Sequence, residues 1–392
     1  MNNRLFLCMK RMFLLLFLLL LCLFFTALGE EESIPLLHME EIDLVLSLPK
    51  DHLRNDYVLL PDGQFIISYA EISGESFIYG ELTNEYAECF DENGQPLWSV
   101  TLDTDHAMYE TELVRYPDHI LWFSQFGDEL PTGLTRTISL SGKLGRVKTI
   151  KRSSDQDVYS PVSIYPYVIE SYYSGSYYET PKFKIHNSET GNKTTLNLNH
   201  EWASFFAAGE ELLLYITDNS YPPQEEFRPR ILLYSQKLKK LCEAVVPEDV
   251  PKDAVIVSVT KIPDGYQILF ETDELLGTGG RSTYLCYTLS LEAKAFSDRL
   301  FACTVPDIQC SLQIFVPCQG GYLTCMPSLW KNQFYQSMTL CHLSDQGVLT
   351  PLENLGAMKN VRLLAQSDVS FSLLTENREG KLFLKKFAFI LQ

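Results

Sequence analysis

The sequence YVLLPDGQFIISYAE, residues 57–71, contains the unit that decides the fold: an apolar strand, a Pro-Asp-Gly turn and a second apolar strand. Six later stretches repeat this layout at spacings of roughly 45 to 60 residues. They are YPDHILWFSQF (116–126), SIYPYVIESYY (163–173), AAGEELLLYITD (207–218), KIPDGYQILFETD (261–273), PCQGGYLTCMPS (317–328) and AQSDVSFSLLTE (365–376). No long window keeps the apolar spacing of a capped helix, so residues after 40 are predicted to be all-β.

Each opening is followed by partner strands such as RILLYSQKLKKLCEAVV (230–246). A four-stranded sheet of this size cannot bury both faces alone, whereas radial stacking hides each face against a neighbour. We therefore predict a single β-propeller over residues 41–392 with seven four-stranded blades; six or eight blades and two packed sandwiches are the alternatives. The strand EIDLVLSLP (41–49) precedes the first unit, and we expect it to pair with the last blade and close the ring.

One turn is better formed than the others: CFDENGQPLWSVTL (89–102) has Asp91, Gly94 and Trp98 in the spacing D-x-x-G-x-x-x-W. Asp91 favours the turn by bonding local backbone, Gly94 supplies a positive φ, and Trp98 begins an outer strand and can pack between blades. The motif resembles the repeat of the quinoprotein-like (PQQ-type) and WD40-like propeller families. This resemblance implies the propeller fold. Because the adjacent Cys-Cys pair of the quinone-dependent dehydrogenases is missing, it also implies a non-enzymatic branch.

The first 29 residues have the layout of an export signal. Arg4, Lys10 and Arg11 precede the apolar run FLLLFLLLLCLFF, and Ala27-Leu28-Gly29 suits cleavage before Glu30. A signal anchor that is not cleaved is the alternative; in either case the remainder faces outward. We therefore expect an extracytoplasmic bacterial protein, secreted or anchored to the membrane by its N-terminal helix, with residues 30–40 as an acidic linker.

Charge and cysteine usage limit the partners. Without residues 1–29 the chain has 29 Lys+Arg against 50 Asp+Glu, a formal charge of −21. This surface repels nucleic acid and anionic lipid, so we expect membrane contact only through the N-terminal segment, and a monomeric propeller. None of the eight cysteines beyond residue 29 lies in a C-x-x-C pair, which argues against a structural zinc site. They are either core residues or members of one or two disulfides.

A tyrosine-rich stretch is the best local candidate for a binding surface. Residues 165–178 read YPYVIESYYSGSYY and contain Tyr165, Tyr167, Tyr172, Tyr173, Tyr177 and Tyr178. Exposed tyrosines suit stacking on sugars or a protein contact; alternatively, every second side chain faces a blade interface. The acidic stretch LDTDHAMYETE (102–112), with Asp103, Asp105, His106 and Glu110, is interpreted as a solvated loop because it has no Ca²⁺-loop pattern.

The sequence contains no G-x-S-x-G, no H-E-x-x-H and no phosphate-binding glycine loop. We therefore predict no catalytic, cofactor-binding or metal-binding residues and no cofactor. The first functional hypothesis is a non-catalytic binding or scaffold module for a protein or a cell-envelope component. The second is a carbohydrate-binding protein or divergent glycosidase, since two carboxylates suffice for glycoside hydrolysis. A quinone-dependent oxidoreductase is the least favoured.

Overall fold

The computed structural model describes residues 36–390 except 45–51, 61, 74–80, 104–109, 126–131, 152–155, 159–161, 175–180, 221–223, 225, 277–278, 307–314, 328–329, 332–333, 336, 366–368, 378 and 380. In the described residues the regular elements are all strands. The predicted signal segment, 1–29, lies outside them. Residues Met39–Ala388 form one compact unit, to which the seven blades belong; Met1–His38 with Phe389–Gln392 are assigned to another.

Apart from one two-stranded hairpin, the described strands form seven antiparallel sheets, which are the blades of a β-propeller. The first strand of the described residues, β1 (Leu36–Leu44), is the outer strand of the last blade. Blade 1 comprises β2 (His52–Leu59), β3 (Phe65–Ser73), β4 (Glu81–Phe90) and β5 (Pro96–Asp103); blade 2 comprises β6 (Glu110–Arg115), β7 (His119–Gln125), β8 (Thr132–Ser139) and β9 (Lys148–Lys151). Blade 3 comprises the interrupted first strand β10 (Gln156–Val158) and β11 (Val162–Ile164), then β12 (Tyr167–Ser174), β13 (Pro181–Asn187) and β14 (Lys193–Asn197).

The other four blades follow the same plan. Blade 4 comprises β15 (Glu201–Ala208), β16 (Glu211–Asp218), β17 (Arg230–Tyr234) and β18 (Lys240–Val245). Blade 5 comprises β19 (Val255–Ile262), β20 (Gly265–Leu276) and β21 (Gly279–Ser290), with β22 (Ala295–Phe296) and β23 (Phe301–Pro306) sharing the outer position. Blade 6 comprises β24 (Phe315–Cys318), β25 (Gly321–Pro327), β28 (Met338–Ser344) and β29 (Leu349–Gly356). The connection from β25 to β28 contains a small separate hairpin of β26 (Trp330–Lys331) and β27 (Phe334–Tyr335). Blade 7 comprises β30 (Lys359–Ala365), β31 (Ser370–Glu376), β32 (Leu382–Ile390) and β1.

The first strands of successive blades lie side by side around the ring, from β2 to β30. Buried apolar clusters fill the spaces between blades; one of them joins Leu374 and Leu384 of blade 7 to Phe65 and Ile67 of blade 1. The all-β class, the seven blades and the pairing of the N-terminal strand with the last blade are therefore confirmed. The closing strand spans Leu36–Leu44, so it starts five residues before the predicted position and overlaps the predicted linker; residues 45–49 lie outside the described part.

The turn at Asp91 also contributes to ring closure. Asp91 Oδ1 accepts hydrogen bonds from the amides of Asn93 at 2.9 Å and Gln95 at 2.8 Å, which fixes the turn. Gly94 adopts φ +73°, and a Cβ there would lie 2.7 Å from Leu44 of the closing strand. Glycine is therefore required at position 94 for two reasons, the positive φ and the close approach of Leu44 in blade 7.

Cysteines contribute to the core as small apolar side chains. Among the described residues, no disulfide is formed by the seven cysteines, and six of these are buried, for example Cys89 in blade 1 and Cys325 in blade 6. Burial raises the pKa of Cys89 to about 12, with Asp62 and Asp91 adding to the shift. The one remaining cysteine beyond residue 29, Cys310, lies outside the described residues.

Candidate functional site

A cavity of about 280 Å³ lies where the first strands of blades 1, 2 and 3 meet. These strands supply carboxylates, an arginine, a serine, tyrosine rings and apolar side chains. The polar members are Asp56, Tyr57, Glu112, Arg115, Ser163 and Tyr165, and the apolar members are Val58, Leu59, Leu113 and Val162. We call this cavity the channel pocket.

Asp56 connects the first two blades at the channel pocket. The pairing of β2 with β3 shifts register between Arg54 and Asp56, which is a local bulge. Asp56 Oδ2 accepts the amide hydrogen of Leu113 at 2.6 Å, and the Asp56 amide donates to Ser68 Oγ at 3.1 Å. The carboxylate therefore satisfies a backbone donor on the first strand of blade 2, which has no further strand of its own sheet beside it.

Arg115 joins three blades at the other end of the pocket. Its guanidinium donates to the carbonyl oxygen of Leu59 at 3.0 Å, and its amide donates to Ser163 Oγ at 3.3 Å. The guanidinium carbon lies 3.7 Å from the centroid of the Tyr165 ring, a cation–π contact. Tyr165 in turn donates to Glu189 at 2.7 Å, and burial together with this carboxylate raises its pKa.

The channel pocket therefore combines aromatic surface, fixed charges of both signs and hydrogen-bonding groups on a rigid ring. Such a mixture suits a polar ring-shaped ligand, whose faces stack on aromatic side chains while its hydroxyl groups hydrogen-bond to the walls. Asp56 and Glu112 are two carboxylates in a single pocket, which is the minimum set for acid–base chemistry on a sugar.

Among the described residues, the tyrosines singled out in the sequence lie in different environments of blade 3. Tyr165 lines the channel pocket from the turn before β12, whereas Tyr173 lies near the far end of β12, six residues or about 20 Å beyond Tyr167. Tyr167 is fully buried between blades 3 and 4 and donates to the carbonyl oxygen of Glu210; burial raises its pKa to about 12. This places Tyr167 in the core and removes it from the predicted contact surface. Tyr177 and Tyr178 lie outside the described residues.

Tyr172 belongs to a second feature, the open face of blade 3. One face of this blade packs on blade 4 through Tyr167, Phe183 and Ile185. The opposite face follows from the strand register, in which Tyr172 pairs with Lys182, Glu170 with Lys184, and His186 with Lys193. We define the open face by Glu170, Tyr172, Lys182, Lys184, His186, Lys193, Thr195 and Asn197, of which all but Tyr172 and His186 are exposed.

Contacts within the open face order its aromatic residue. Lys184 Nζ lies 4.0 Å from the centroid of the Tyr172 ring, and the Tyr172 hydroxyl donates to Glu170. Burial and the neighbouring carboxylate both raise the pKa of Tyr172, so this tyrosine stays protonated. A lysine at its face and a glutamate at its hydroxyl group therefore restrain this ring.

Tyr116 connects the two features. It follows Arg115 in sequence, and its ring lies 6.2 Å from that of His186 on the open face. On its other side it stacks on His119 at 4.6 Å with an interplanar angle of 6°. Burial raises the pKa of Tyr116, and Glu170 adds to the shift. Tyr116 therefore lies one residue from a pocket-lining arginine and in ring contact with the open face.

The acidic stretch predicted to be a solvated loop is only partly described. Asp103 ends β5 and Glu110 begins β6, whereas Asp105 and His106 lie outside the described residues. In the described part of the chain, no group of three or more His, Cys, Asp or Glu side chains is placed to hold a metal ion. Within the same residues, no helix has the length and hydropathy needed to cross a membrane.

No protein-family model matches this sequence, and no curated protein matches it. Solved structures resemble the fold. Polysaccharide lyase Uly1 has a TM-score of 0.54 at 7% identity, over 91% of this chain and 100% of that one. The β-propeller domain of Vanderwaltozyma polyspora Nup133 has a TM-score of 0.50 at 11% identity, over 92% and 99%. The WD40 domain of fission yeast SCAP covers 90% and 98% at 9% identity, with a TM-score of 0.44. At these identities the likeness shows the β-propeller fold alone.

Proposed function

We propose that this protein is an exported, non-catalytic binding module that holds a carbohydrate of the cell envelope in its channel pocket. The observation that carries the proposal is the lining of the pocket. The Arg115 guanidinium stacks on the Tyr165 ring, and Asp56 and Glu112 line the same cavity. Of the two hypotheses drawn from the sequence, a carbohydrate ligand is favoured over a protein partner. A polar cavity of this size accommodates a single sugar ring rather than a protein surface.

Export is part of the proposal and depends on the sequence. The basic residues Arg4, Lys10 and Arg11, the apolar run and the small residues before Glu30 support translocation with the propeller outside. The solved structures contribute the fold only, so the lyase activity that gives Uly1 its description is not transferred to this chain.

The test blocks the pocket without removing a hydrogen bond. Val162 lines the channel pocket and is 41% exposed, so Val162→Trp fills the space with an indole. Val255 is 39% exposed on the first strand of blade 5 and does not line the pocket, so Val255→Trp is the matched control. A glycan array identifies the carbohydrate ligand, and calorimetry then measures its affinity for the wild type and both variants.

We expect Val162→Trp to weaken binding at least tenfold and Val255→Trp to leave it within about twofold of the wild type. Equal loss in both variants, or no glycan binding by the wild type, contradicts the proposal. Crosslinking and capture of a near-stoichiometric protein partner, together with no glycan binding, would support the scaffold hypothesis instead.

A second candidate function follows from the two pocket carboxylates. If Asp56 and Glu112 act on a bound sugar, the protein is a divergent glycosidase. The measurement is release of reducing ends from the oligosaccharide that the array identifies, with Glu112→Gln as the variant. Hydrolysis that Glu112→Gln abolishes would establish the enzyme, and absence of hydrolysis at saturating ligand leaves the binding module.

A further inference from the structure

The third strand of blade 3 differs from third strands elsewhere in the ring. In blade 4, the consecutive residues Ile231, Leu232 and Leu233 of β17 are all buried, so both faces of that strand are covered. In blade 3, β13 alternates strictly, with Phe183 and Ile185 buried and Lys182 and Lys184 exposed. The side of blade 3 that faces away from blade 4 is therefore solvent-accessible at Lys182 and Lys184. Next to His186 on the same side, Val168 is buried, and His186 itself contacts Tyr116 of blade 2.

The open face carries positive charge on an otherwise acidic protein. Lys182, Lys184 and Lys193 lie on it with one carboxylate, Glu170, while residues 30–392 carry a formal charge of −21. Within the described part of the chain, none of the three lysines forms an ion pair. The strand register places them in successive rows, about 7 Å apart and about 14 Å from the first row to the third.

The other residues of the open face suit a hydroxylated ligand. Thr195 pairs with Lys184 and Asn197 pairs with Lys182, so a hydrogen-bonding side chain lies beside each of these lysines. Tyr172 adds a ring that its contacts with Lys184 and Glu170 hold in place. Aromatic surface and neutral hydrogen-bonding groups between regularly spaced cations match a chain of sugars that bears anionic groups, whereas a purely ionic partner would not use them.

We propose that the open face of blade 3 binds an acidic polysaccharide, with its lysines on the carboxylate or phosphate groups of the sugar chain and Tyr172 against a sugar ring. The inference rests on the proposed function, because it makes the glycan of the channel pocket anionic and extends it past Tyr116 and His186 onto blade 3. The remaining surface, with its excess of carboxylates, repels such a chain and directs it to this face.

The experiment compares four soluble probes by calorimetry: an oligogalacturonate, its neutral methyl ester, a glycerol-phosphate oligomer and polyglutamate. The variant is Lys182→Gln/Lys184→Gln, and the matched control is Lys237→Gln/Lys239→Gln, two exposed lysines in the turn before β18 of blade 4. The uronate and phosphate probes distinguish the two sources of anionic charge, and polyglutamate reports a response to charge alone.

We expect one of the two anionic oligomers to bind the wild type at least tenfold more tightly than the neutral ester. The Lys182/Lys184 variant should lose most of that gain, as should the wild type at 0.5 M salt, because exposed charges are screened. The Lys237/Lys239 variant should retain it. Equal binding of acidic and neutral sugars, an unchanged affinity in the Lys182/Lys184 variant, or binding of polyglutamate as tight as that of the sugars would overturn the inference.

The outcomes separate the inference from the proposed function. In one outcome the neutral ester binds, Val162→Trp blocks that binding and substitution of the open-face lysines has no effect. The channel pocket is then a neutral-sugar site, and the inference about the open face is wrong. In another outcome the acidic oligomer binds through Lys182 and Lys184, and Val162→Trp does not change its affinity. The open face is then a binding site that is independent of the channel pocket. Failure of every sugar probe overturns both.

Discussion

The ring of Phe301 in blade 5 occupies the space that a Cβ atom on Gly347 of blade 6 would need, at a distance of 2.9 Å. Trp98 of blade 1 and Gly142 of blade 2 show the same relationship at 2.8 Å, and Trp98 Nε1 also donates to the carbonyl oxygen of Leu140 at 3.0 Å. In both cases the aromatic residue lies on an outer strand and the glycine in the last turn of the next blade. At these two blade interfaces, an aromatic side chain of one outer strand therefore packs directly on the glycine backbone of the next blade.

This packing predicts unequal costs for two glycine substitutions. Gly142→Ala should destabilise the protein by about 3 kcal/mol, because the positive φ disfavours a side chain and the new Cβ collides with Trp98. Gly191→Ala should cost about 1 kcal/mol, because Gly191 has a similar φ of +71° but nothing within 4 Å of the added carbon. Urea unfolding of both variants checks the difference, and equal costs would show that backbone strain alone matters at Gly142.

An ion pair with one covered partner joins the closing strand to the last blade. Lys385 of β32 lies 2.5 Å from Glu41 of the closing strand, with its side chain only 9% exposed. Lys385→Met should lower the free energy of unfolding by about 1 kcal/mol, because Glu41, which is 44% exposed, then loses its partner. Lys381, which pairs with Asp43 at an exposed site, is the control, and Lys381→Met should cost less than about 0.5 kcal/mol. Similar urea midpoints for the two variants would contradict this prediction.

The buried cysteines predict low reactivity of the native thiols. Burial raises the pKa of Cys341 to about 12 and that of Cys286 to about 11, so at pH 8 almost none of either is thiolate, the reactive form. Ellman's reagent should therefore label the six buried thiols only after denaturation, and dithiothreitol should leave the thermal midpoint unchanged. A lower midpoint under reducing conditions would indicate a disulfide in the native protein.

The open face predicts a pH dependence centred on His186. Burial lowers the pKa of this imidazole, Lys193 adds to the shift and Glu170 opposes it. A lowered native pKa means that the unfolded state takes up a proton first, so stability is lost as the pH falls through about 6.5. Below the native pKa the imidazolium adds a further positive charge beside Lys193, and binding of the acidic oligomer should then tighten.

The measurement for His186 is the thermal midpoint and the oligomer affinity between pH 7.5 and 5.0. His186→Gln should reduce both pH dependences while leaving the affinity at pH 7.5 nearly unchanged. Glu170, Lys193, Tyr116 and the imidazole of His119 surround this position, so a pH dependence that survives in His186→Gln would be attributed to one of these neighbours.

The blades could be predicted from sequence because each repeats a local pattern. The turn between the first two strands, as at Asp62-Gly63, recurs with little change in spacing, and alternation within strands follows from burial of one face at a time. The start of the closing strand was harder to place. Residues 36–40 follow the acidic residues 30–32 and end on the exposed Glu40, so from sequence they resemble a linker. They form a strand because the free edge of β32 supplies hydrogen-bond partners.

The channel pocket could not be predicted from sequence, since its walls come from three first strands separated by about fifty residues each. Nothing local distinguishes Arg115 or Ser163 from ordinary strand residues, and only the ring brings them together. The open face did leave a signal. The run KFKIH (182–186) alternates charged and apolar residues and indicates one exposed side, but the neighbouring tyrosines drew the prediction to the strand before it.

Blade 7 takes its outer strand from residues 36–44 and its other three strands from residues 359–390, so more than 300 residues separate the two parts. During synthesis the first of these parts emerges more than 300 residues before the second, so blade 7 stays incomplete until both have emerged. Bringing such distant segments together costs about 5 kcal/mol of chain entropy, which the preceding six blades reduce by holding the ends near each other. Proteolytic loss of β1 should therefore expose the edge of β32, and loss of β30 to β32 should leave β1 without a partner. In both cases blade 7 is incomplete and the ring is not closed.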